Sequence, residues 1–209
     1  MQMVTLYLLR HAATQYVGEK QFVGQTDLPL SQEGRHQADK CRQQLANVAF
    51  SEIWCSNLKR TDETAELISR GRQSIFRSVP ELREIDLGAW DGVAMTVIRE
   101  RFPDLWRERG ENIARFRPPS GESFADLQQR VIPLIEQIVA HSSGNILVVT
   151  HAGVIRVILC HILQAPLSHL FRIQLDYGGL TIIESRNGIL QIRSVNLRIG
   201  NYTDASGAS

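Results

Sequence analysis

The chain has 209 residues, 43% of them hydrophobic, and a formal net charge of +1 at pH 7. This length and composition predict one globular α/β domain with a substantial core. The near-zero charge excludes binding of a polyanion through the overall field of the protein, so any phosphate affinity must come from a local cluster. No block of Lys and Arg, zinc-ligand spacing or alternation of basic and aromatic residues indicates nucleic acid.

The first half of the chain alternates between strand and helix signals. Ser31 and Ser56 have the residue type and the position of helix N-caps, and apolar side chains at helical spacing follow each of them. Three short apolar runs in this half predict strands, at 4–9, 50–55 and 75–79.

The segment 81–122 breaks this alternation. It contains Trp90 and Trp106, dense charge of both signs, and the loop 117–121, which is rich in Pro and Gly. We interpret the segment as an insertion of short helices that forms a lid over the carboxyl edge of the sheet.

Strand and helix signals resume after this insertion. Ser123 and Asp126 form a capping-box pattern that opens a helix to about residue 141, in which Pro133 is expected to produce a kink or a break. A strand at 145–150, a helix at 154–163 and a hairpin around Asn187-Gly188 complete the chain.

These elements predict a three-layer α/β/α fold, with helices on both faces of a mostly parallel sheet and the final hairpin at one edge. Residues 1–199 are expected to form a single domain, and 200–209, which are small and polar, a disordered tail.

Two strands end at a histidine. The first is followed by Arg10-His11 and the strand at 145–150 by His151. Because ligands of parallel sheets bind beyond the carboxyl ends of the strands, the two imidazoles are expected to face one pocket. A guanidinium beside His11 would repel a metal ion but suits phosphate or carboxylate. The positive charge of the guanidinium also keeps the imidazole neutral, so that one ring nitrogen has a lone pair and can act as a nucleophile or a base.

Arg60 and Glu84 are further candidates for this chemistry. Arg60 falls in the first turns of the helix after Ser56, where free N–H groups and the helix dipole favour an anion, although a lone arginine there is also typical of an exposed helix face. Glu84 lies among Leu, Ile and Trp, where a carboxyl group can keep the proton that a general acid needs. Alternatively, Glu84, Asp86 and Asp91 pair with nearby arginines, and spacing alone does not identify the catalytic acid.

Six motifs in this order resemble the histidine phosphatase superfamily, which includes the cofactor-dependent phosphoglycerate mutases. They are Leu9-Arg10-His11, Gly24-x-x-Asp27-x-Pro29-Leu30-Ser31-x-x-Gly34, Ser56-Asn57-Leu58-x-Arg60-x-x-x-Thr64-Ala65, Glu84-x-x-x-Gly88-x-Trp90-x-Gly92, Pro119-Ser120-Gly121-Glu122-Ser123 and Val149-Thr150-His151-Ala152-Gly153.

The resemblance implies a phosphatase that needs neither metal nor cofactor and works through a phosphohistidine. His11 would be the nucleophile, and Arg10, Arg60 and His151, the last as a charged group, would clamp the phosphoryl oxygens. Glu84 would protonate the leaving alkoxide and then activate water.

Further phosphate contacts are expected from Thr14, from the backbone N–H of Ala152 and from Gln25, with Gln15 as the alternative to Gln25.

The chain departs from the family pattern directly after the nucleophile. Ala12 and Ala13 replace the usual Gly-Glu, and Val17 stands where an Asn commonly contacts the phosphate. Ala12 should be tolerated if the backbone there does not need a positive φ. The two Arg, the two His and the Glu of the core set are retained.

A hydrolase of a small phosphorylated metabolite is the predicted function, because the insertion is more compact than in the family's mutases. The stretch 102–123 resembles bacterial α-ribazole phosphatase-like members, which act in cobalamin assembly, and a sugar phosphate is the other substrate class considered. The alternatives are a phosphoglycerate mutase and a catalytically weakened phosphate-binding module.

Other properties follow by default. The N-terminus has no basic segment followed by an apolar one, and no stretch is apolar enough to span a bilayer, so a cytoplasmic protein without membrane or nucleic-acid partners is expected. The three cysteines are expected to be buried reduced thiols, with Cys55 the one candidate for a reactive thiol. A homodimer through an edge strand is compatible with the terminal hairpin.

Overall fold

The structure is a computed structural model that describes residues 3–15, 19, 21–186 and 188–198. The predictions for Val17, for Asn187 in the hairpin turn and for the tail 200–209 fall outside these residues.

The strands of the described residues form one sheet in the order β3-β2-β4-β1-β5-β6. The pairs β3–β2, β2–β4 and β4–β1 are parallel, and β1–β5 and β5–β6 are antiparallel. The prediction of a mostly parallel sheet that ends in an edge hairpin is therefore confirmed. The strands are β1 (Val4–Arg10), β2 (Phe50–Cys55), β3 (Ile75–Ser78), β4 (Gly144–Thr150), β5 (Gly179–Arg186) and β6 (Ile189–Arg198).

Helices cover both faces of the sheet, as predicted. The helices of the described residues are α1 (Gln32–Gln44), α2 (Lys59–Ser69), α3 (Met95–Arg101), α4 (Pro103–Glu111), α5 (Phe124–His141) and α6 (Ala152–Ile162). Side chains alternate between the faces along the central strands, so Leu8 and Val148 pack against α5 and α6, whereas Leu9 and Val149 pack against α1 and α2. None of the helices in the described part of the chain is long and apolar enough to cross a membrane.

The helix starts were predicted with mixed success. Ser31 caps α1, its Oγ accepting the Gly34 N–H at 2.9 Å, and Ser123 and Asp126 form the predicted capping box of α5. The prediction for Ser56 was wrong, because α2 begins three residues later, at Lys59, with Leu58 as N-cap. Its first amide, on Lys59, donates instead to Asp27 Oδ1 in the preceding loop, at 2.7 Å.

Pro133 does not break α5, which runs without interruption from Phe124 to His141. Val131, Ile132 and Ile135, on both sides of the proline, are buried, so packing against the sheet holds the helix together there.

The segment 81–122 contains α3, α4 and a single turn of 3-10 helix at Gly88–Trp90, and another such turn, Pro80–Leu82, leads into it. Its apolar side chains meet the loop before α1 in a separate cluster built on Phe22, Trp90 and Phe116. The interpretation of this segment as a lid stays a prediction.

All three cysteines are buried and free, as expected. Burial raises the pKa of the Cys41 and Cys55 thiols to about 12, so neither is a thiolate near neutral pH and the reactive alternative for Cys55 is not supported.

Candidate active site

The β1–β4 pairing places the two strand-terminal histidines side by side. Arg10 is opposite Thr150 in the register, and the His11 N–H extends the ladder by donating to the Thr150 carbonyl at 2.9 Å. The ring centres of His11 and His151 are 5.2 Å apart. The sequence prediction that both imidazoles meet at this edge of the sheet is confirmed.

A cavity of about 620 Å³ opens beside this edge. Arg10, Thr14, Glu84 and Ala152, all predicted site residues, lie in its wall. The rest of the wall is largely apolar and includes side chains of the segment 81–122 and of Phe171. A cavity of this size and character suits a small organic ligand.

His11 is held with its nucleophilic nitrogen free. Its Nδ1 lies 2.8 Å from the Ala12 carbonyl, which only accepts, so Nδ1 carries the proton and Nε2 keeps a lone pair. Burial, and then the charges of Arg60 and Arg10, hold the pKa of His11 well below its usual value. The imidazole is therefore neutral at physiological pH, as a nucleophile requires.

His151 uses both of its ring nitrogens within the protein. The Arg60 guanidinium only donates, so the 3.3 Å contact from its Nε makes His151 Nδ1 an acceptor, and Nε2–H donates to Ser56 Oγ at 2.8 Å. Burial, and then the charges of Arg60 and His11, lower the pKa of His151 well below the usual value. Burial and the positive surroundings therefore favour a neutral ring, and the role of His151 as a charged clamp on bound phosphate stays a prediction.

Arg60 is not an exposed helix-face charge, since its side chain is only 1% exposed. Besides the contact to His151, Nη1 donates to the Thr26 carbonyl at 2.8 Å and Nη2 to the Gly24 carbonyl at 2.6 Å. Asp91 fixes that loop by accepting the backbone N–H groups of Gly24 and Thr26. The loop thus positions Arg60, and Arg60 positions His151.

Arg10 retains an unused donor. Its Nη1 donates to the Leu175 carbonyl at 2.7 Å, and its guanidinium carbon stacks 3.8 Å from the centre of the Tyr177 ring. Within the described residues, Arg10 Nε is the one buried side-chain nitrogen or oxygen without a hydrogen-bond partner. A buried donor without an acceptor is unfavourable, so an anion bound beside His11 would relieve this cost.

Glu84 faces the start of α6. Its Oε2 accepts the Gly153 N–H at 3.0 Å, and its Oε1 accepts the Ile85 N–H at 3.0 Å. The alternative of arginine pairs is not observed for Glu84, Asp86 or Asp91 within the described residues, because all three carboxylates accept backbone N–H groups instead. Of these three acids, Glu84 alone lines the cavity.

The remaining predicted residues divide into two groups. Thr14 and Ala152 line the cavity, but Gln25 does not, because its amide donates to the Glu84 carbonyl at 3.2 Å and so binds the loop beneath the site. Gln15 is exposed. Ala12 has no positive φ and is fully buried, so Ala in place of Gly introduces no backbone strain.

Sequence reasoning missed three supporting residues: Ser56 as the partner of His151, Asp91 as the anchor of the loop, and Tyr177 as the platform under Arg10. Ser56 and Asp91 had a usable signal, since both lie inside family motifs. Tyr177 had none, because it comes from a chain segment far from either histidine.

Comparison with known proteins identifies the family. The model of the histidine phosphatase superfamily (branch 1) matches residues 6–198. The chain belongs to this superfamily.

Several members of the superfamily that are similar to this chain are named as phosphatases. Adenosylcobalamin/alpha-ribazole phosphatase of Escherichia coli K12 is 29% identical over 92% of this chain and 96% of its own. Phosphoserine phosphatase 1 of Hydrogenobacter thermophilus is also 29% identical, over 96% of both chains. The alpha-ribazole phosphatase of Shigella flexneri superposes with a TM-score of 0.86 at 27% identity, over 93% of this chain and 96% of that one. The predicted fold and the prediction of a phosphomonoester hydrolase are thereby confirmed.

Gly153 allows the Glu84 carboxylate of this histidine phosphatase to reach α6. A Cβ at this position would lie 2.2 Å from Glu84 Oε1, so Gly153→Ala must displace the carboxylate. A displacement of about 1 Å lowers turnover by roughly 100-fold, and we expect a loss of that size in kcat. Gly110→Ala is the matched control, because a Cβ there meets nothing within 4 Å. Equal kcat values for the two variants on an alkyl phosphate would contradict this role of Gly153.

The buried histidines also make stability depend on pH. Folding lowers the pKa values of both imidazoles. Below pH 6.5 the unfolded chain therefore binds more protons than the folded one, and the free energy of unfolding decreases as the pH is lowered. Between pH 7 and 5.5 each such imidazole removes up to about 1 kcal/mol of unfolding free energy. We expect His11→Asn to reduce the pH dependence in urea unfolding by about this amount, whereas His36→Asn, at an exposed site, should not. Identical pH slopes for wild type and His11→Asn would argue against a neutral buried imidazole.

Proposed function

We propose that this protein hydrolyses a small phosphorylated metabolite through a phosphohistidine on His11. One observation carries the proposal: His11 Nε2 keeps a lone pair, because Nδ1–H is bound to the Ala12 carbonyl, next to the unused donor of Arg10. The neutral nucleophile and the cation that binds its target are thus adjacent.

In the first half-reaction, His11 Nε2 attacks the phosphorus of the monoester in line with the ester oxygen. A P–N bond forms, the P–O bond to the leaving group breaks, and Glu84 gives its proton to the departing alkoxide. Arg10 binds the equatorial oxygens, and Arg60 supplies positive charge from behind His151. When the dianion binds, His151 Nδ1 takes a proton from solvent and the Arg60 Nε–H contact to that nitrogen opens, so that His151 clamps the phosphoryl group as a cation; the proton returns to solvent when phosphate leaves.

In the second half-reaction, the Glu84 carboxylate takes a proton from a water molecule whose oxygen attacks the phosphorus. The P–N bond breaks, its electron pair returns to His11 Nε2, and inorganic phosphate leaves. Glu84 is again protonated and His11 again neutral, so the cycle is closed without a metal ion. Within the described residues, no three His, Cys, Asp or Glu side chains are grouped so that they could hold one.

The substrate proposed here is an α-ribazole phosphate or a sugar phosphate. The relatives named above act on different metabolites, an α-ribazole derivative and phosphoserine by their names. Their similarity therefore supports small phosphorylated metabolites as the substrate class and does not single out one compound. The largely apolar cavity wall supports an organic leaving group over a small inorganic one.

A panel of phosphorylated metabolites assayed in EDTA tests the proposal. We expect inorganic phosphate to be released from at least one of them and from p-nitrophenyl phosphate. A mutase would instead need 2,3-bisphosphoglycerate and pass phosphate to 3-phosphoglycerate, and a protein that binds phosphomonoesters without turning any over would be a binding module.

Three further expectations belong to the same proposal. The segment 81–122 acts as a lid, the protein works in the cytoplasm, and the terminal hairpin is compatible with a homodimer through an edge strand. Each stays a prediction. The direct tests are limited proteolysis with and without phosphate for the lid, fractionation of cells for the location, and sedimentation for the dimer.

A further inference from the structure

Arg109, at the end of α4, lies in the cavity wall without an acidic partner. Its guanidinium carbon is 5.3 Å from the ring centre of Phe22, 5.7 Å from that of Trp106 and 5.8 Å from that of Phe171. No ion pair or hydrogen bond of its side chain occurs within the described residues. The aromatic rings hold the cation in place through their faces and leave its donors unused.

Arg156, on α6, faces the same part of the cavity. Its Nε donates to the Ile173 carbonyl at 3.0 Å, and its guanidinium carbon is 5.1 Å from the Phe171 ring centre. Arg109 and Arg156 therefore both lie within 6 Å of the centre of one ring. The two Nη groups of Arg156 have no hydrogen-bond partner among the residues that the structure describes.

No acid of the cavity wall forms an ion pair with Arg109 or Arg156 within the described residues, although the charge of Glu84 acts on Arg156. Glu84 accepts the N–H groups of Ile85 and Gly153, and Glu122 is paired with Arg130 at 2.8 Å. Burial lowers the pKa of both Arg109 and Arg156, but a guanidinium stays charged at any physiological pH. Two like charges that are partly withdrawn from water, neither of them in an ion pair and Arg109 with no acid acting on it, form a site for an anion.

We propose that Arg109 and Arg156 bind a second anionic group, a carboxylate or a phosphate, on the leaving group of the substrate. The inference rests on the proposed function, since it places the first phosphate at His11 and Arg10. It narrows the substrate class to phosphomonoesters of acids, such as hydroxy acids, amino acids or sugar acids, or to bisphosphates. A phosphomonoester with an uncharged leaving group fits this wall less well.

Matched pairs of substrates test the inference. One member is an ω-phosphooxyalkanoate of three to six carbons, and the other is its primary amide, which has the same shape without the charge. A charge-assisted hydrogen bond changes binding by roughly 10- to 100-fold, and we expect kcat/KM to favour the carboxylate by such a ratio at one chain length. Arg109→Met should reduce the ratio towards one, and Arg109→Lys should keep part of it.

Arg107→Met is the control, because Arg107 is on the same helix but exposed and paired with Asp104. It should keep the wild-type ratio. A wild-type ratio near one at every chain length, or a ratio that survives Arg109→Met, would overturn the inference while hydrolysis itself supports the proposed function.

A binding measurement keeps the inference testable without turnover. We expect calorimetry to show the same preference for ω-phosphonoalkanoates over their amides, and the same loss in Arg109→Met. Failure of the proposed function would have a different signature, namely no phosphate release from any substrate, p-nitrophenyl phosphate included. The phosphonate affinities would decide the anion site even then.

Discussion

His11→Ala is expected to lower kcat/KM for every phosphomonoester by about 10⁴-fold or more, because it removes the atom that accepts the phosphoryl group. His151 cannot replace it, although its ring centre is 5.2 Å away. Its Nδ1 lone pair accepts the Arg60 N–H and its Nε2–H is bound to Ser56, so no free lone pair remains. The measurement is steady-state hydrolysis of p-nitrophenyl phosphate in EDTA.

His36→Ala is the matched control, since His36 lies on an exposed part of α1. It should retain turnover within twofold. A His11→Ala variant that folds, as judged by its melting temperature, and still turns over within tenfold of wild type would remove His11 from the mechanism.

Glu84→Gln separates the two half-reactions. An amide keeps the shape of the side chain but carries no transferable proton, and loss of general acid catalysis lowers rates by about 10²- to 10⁴-fold. We expect a loss in this range for an alkyl phosphate, whose alkoxide needs that proton. With p-nitrophenyl phosphate the leaving group departs unprotonated, so the first half-reaction survives and the second is slow.

A burst therefore distinguishes the two substrates. Stopped-flow absorbance should show the variant releasing one nitrophenolate per protein before slow turnover. Quenched-flow measurement of the released alcohol should show no equivalent burst from the alkyl phosphate. Glu81→Gln, at an exposed position on the same loop, should behave like wild type. Wild-type turnover of the alkyl phosphate by Glu84→Gln would identify another acid.

The meeting of the two histidines could be predicted from the sequence. Each follows an apolar run that only a buried strand explains, and parallel strands bring their carboxyl ends to one edge. The register confirms this, because Arg10 and Thr150 are paired across β1 and β4. The local sequence pattern and the overall fold agree at these positions, and a site can be predicted from the sequence where they do.

Other features depend on contacts between distant segments. Ser56 has the residue type of an N-cap, but its hydroxyl is used by His151 and Thr61, so α2 begins later with a backbone amide bound to Asp27. Gln25 has a donor amide of suitable reach, yet the backbone of Glu84 accepts it. Nothing within a few residues of either position shows these partners.

Arg109 is the clearest case of a residue that sequence reasoning passed over. It lies in a segment with charges of both signs and no periodicity, where any arginine is expected to find an acid nearby. The rings that surround it belong to Phe22, Trp106 and Phe171, and Phe22 and Phe171 are far from Arg109 along the chain. Its lack of an acidic partner is a property of the fold alone.

The central claim is that phosphate passes through His11. The most direct measurement is mass spectrometry of the protein quenched in alkali after mixing with p-nitrophenyl phosphate in EDTA, using Glu84→Gln to accumulate the intermediate. We expect one phosphoryl group, labile to acid, on the peptide that contains His11, and none in a variant that also carries His11→Ala. Phosphate found on His151, or turnover with no phosphorylated protein at any time, would contradict it.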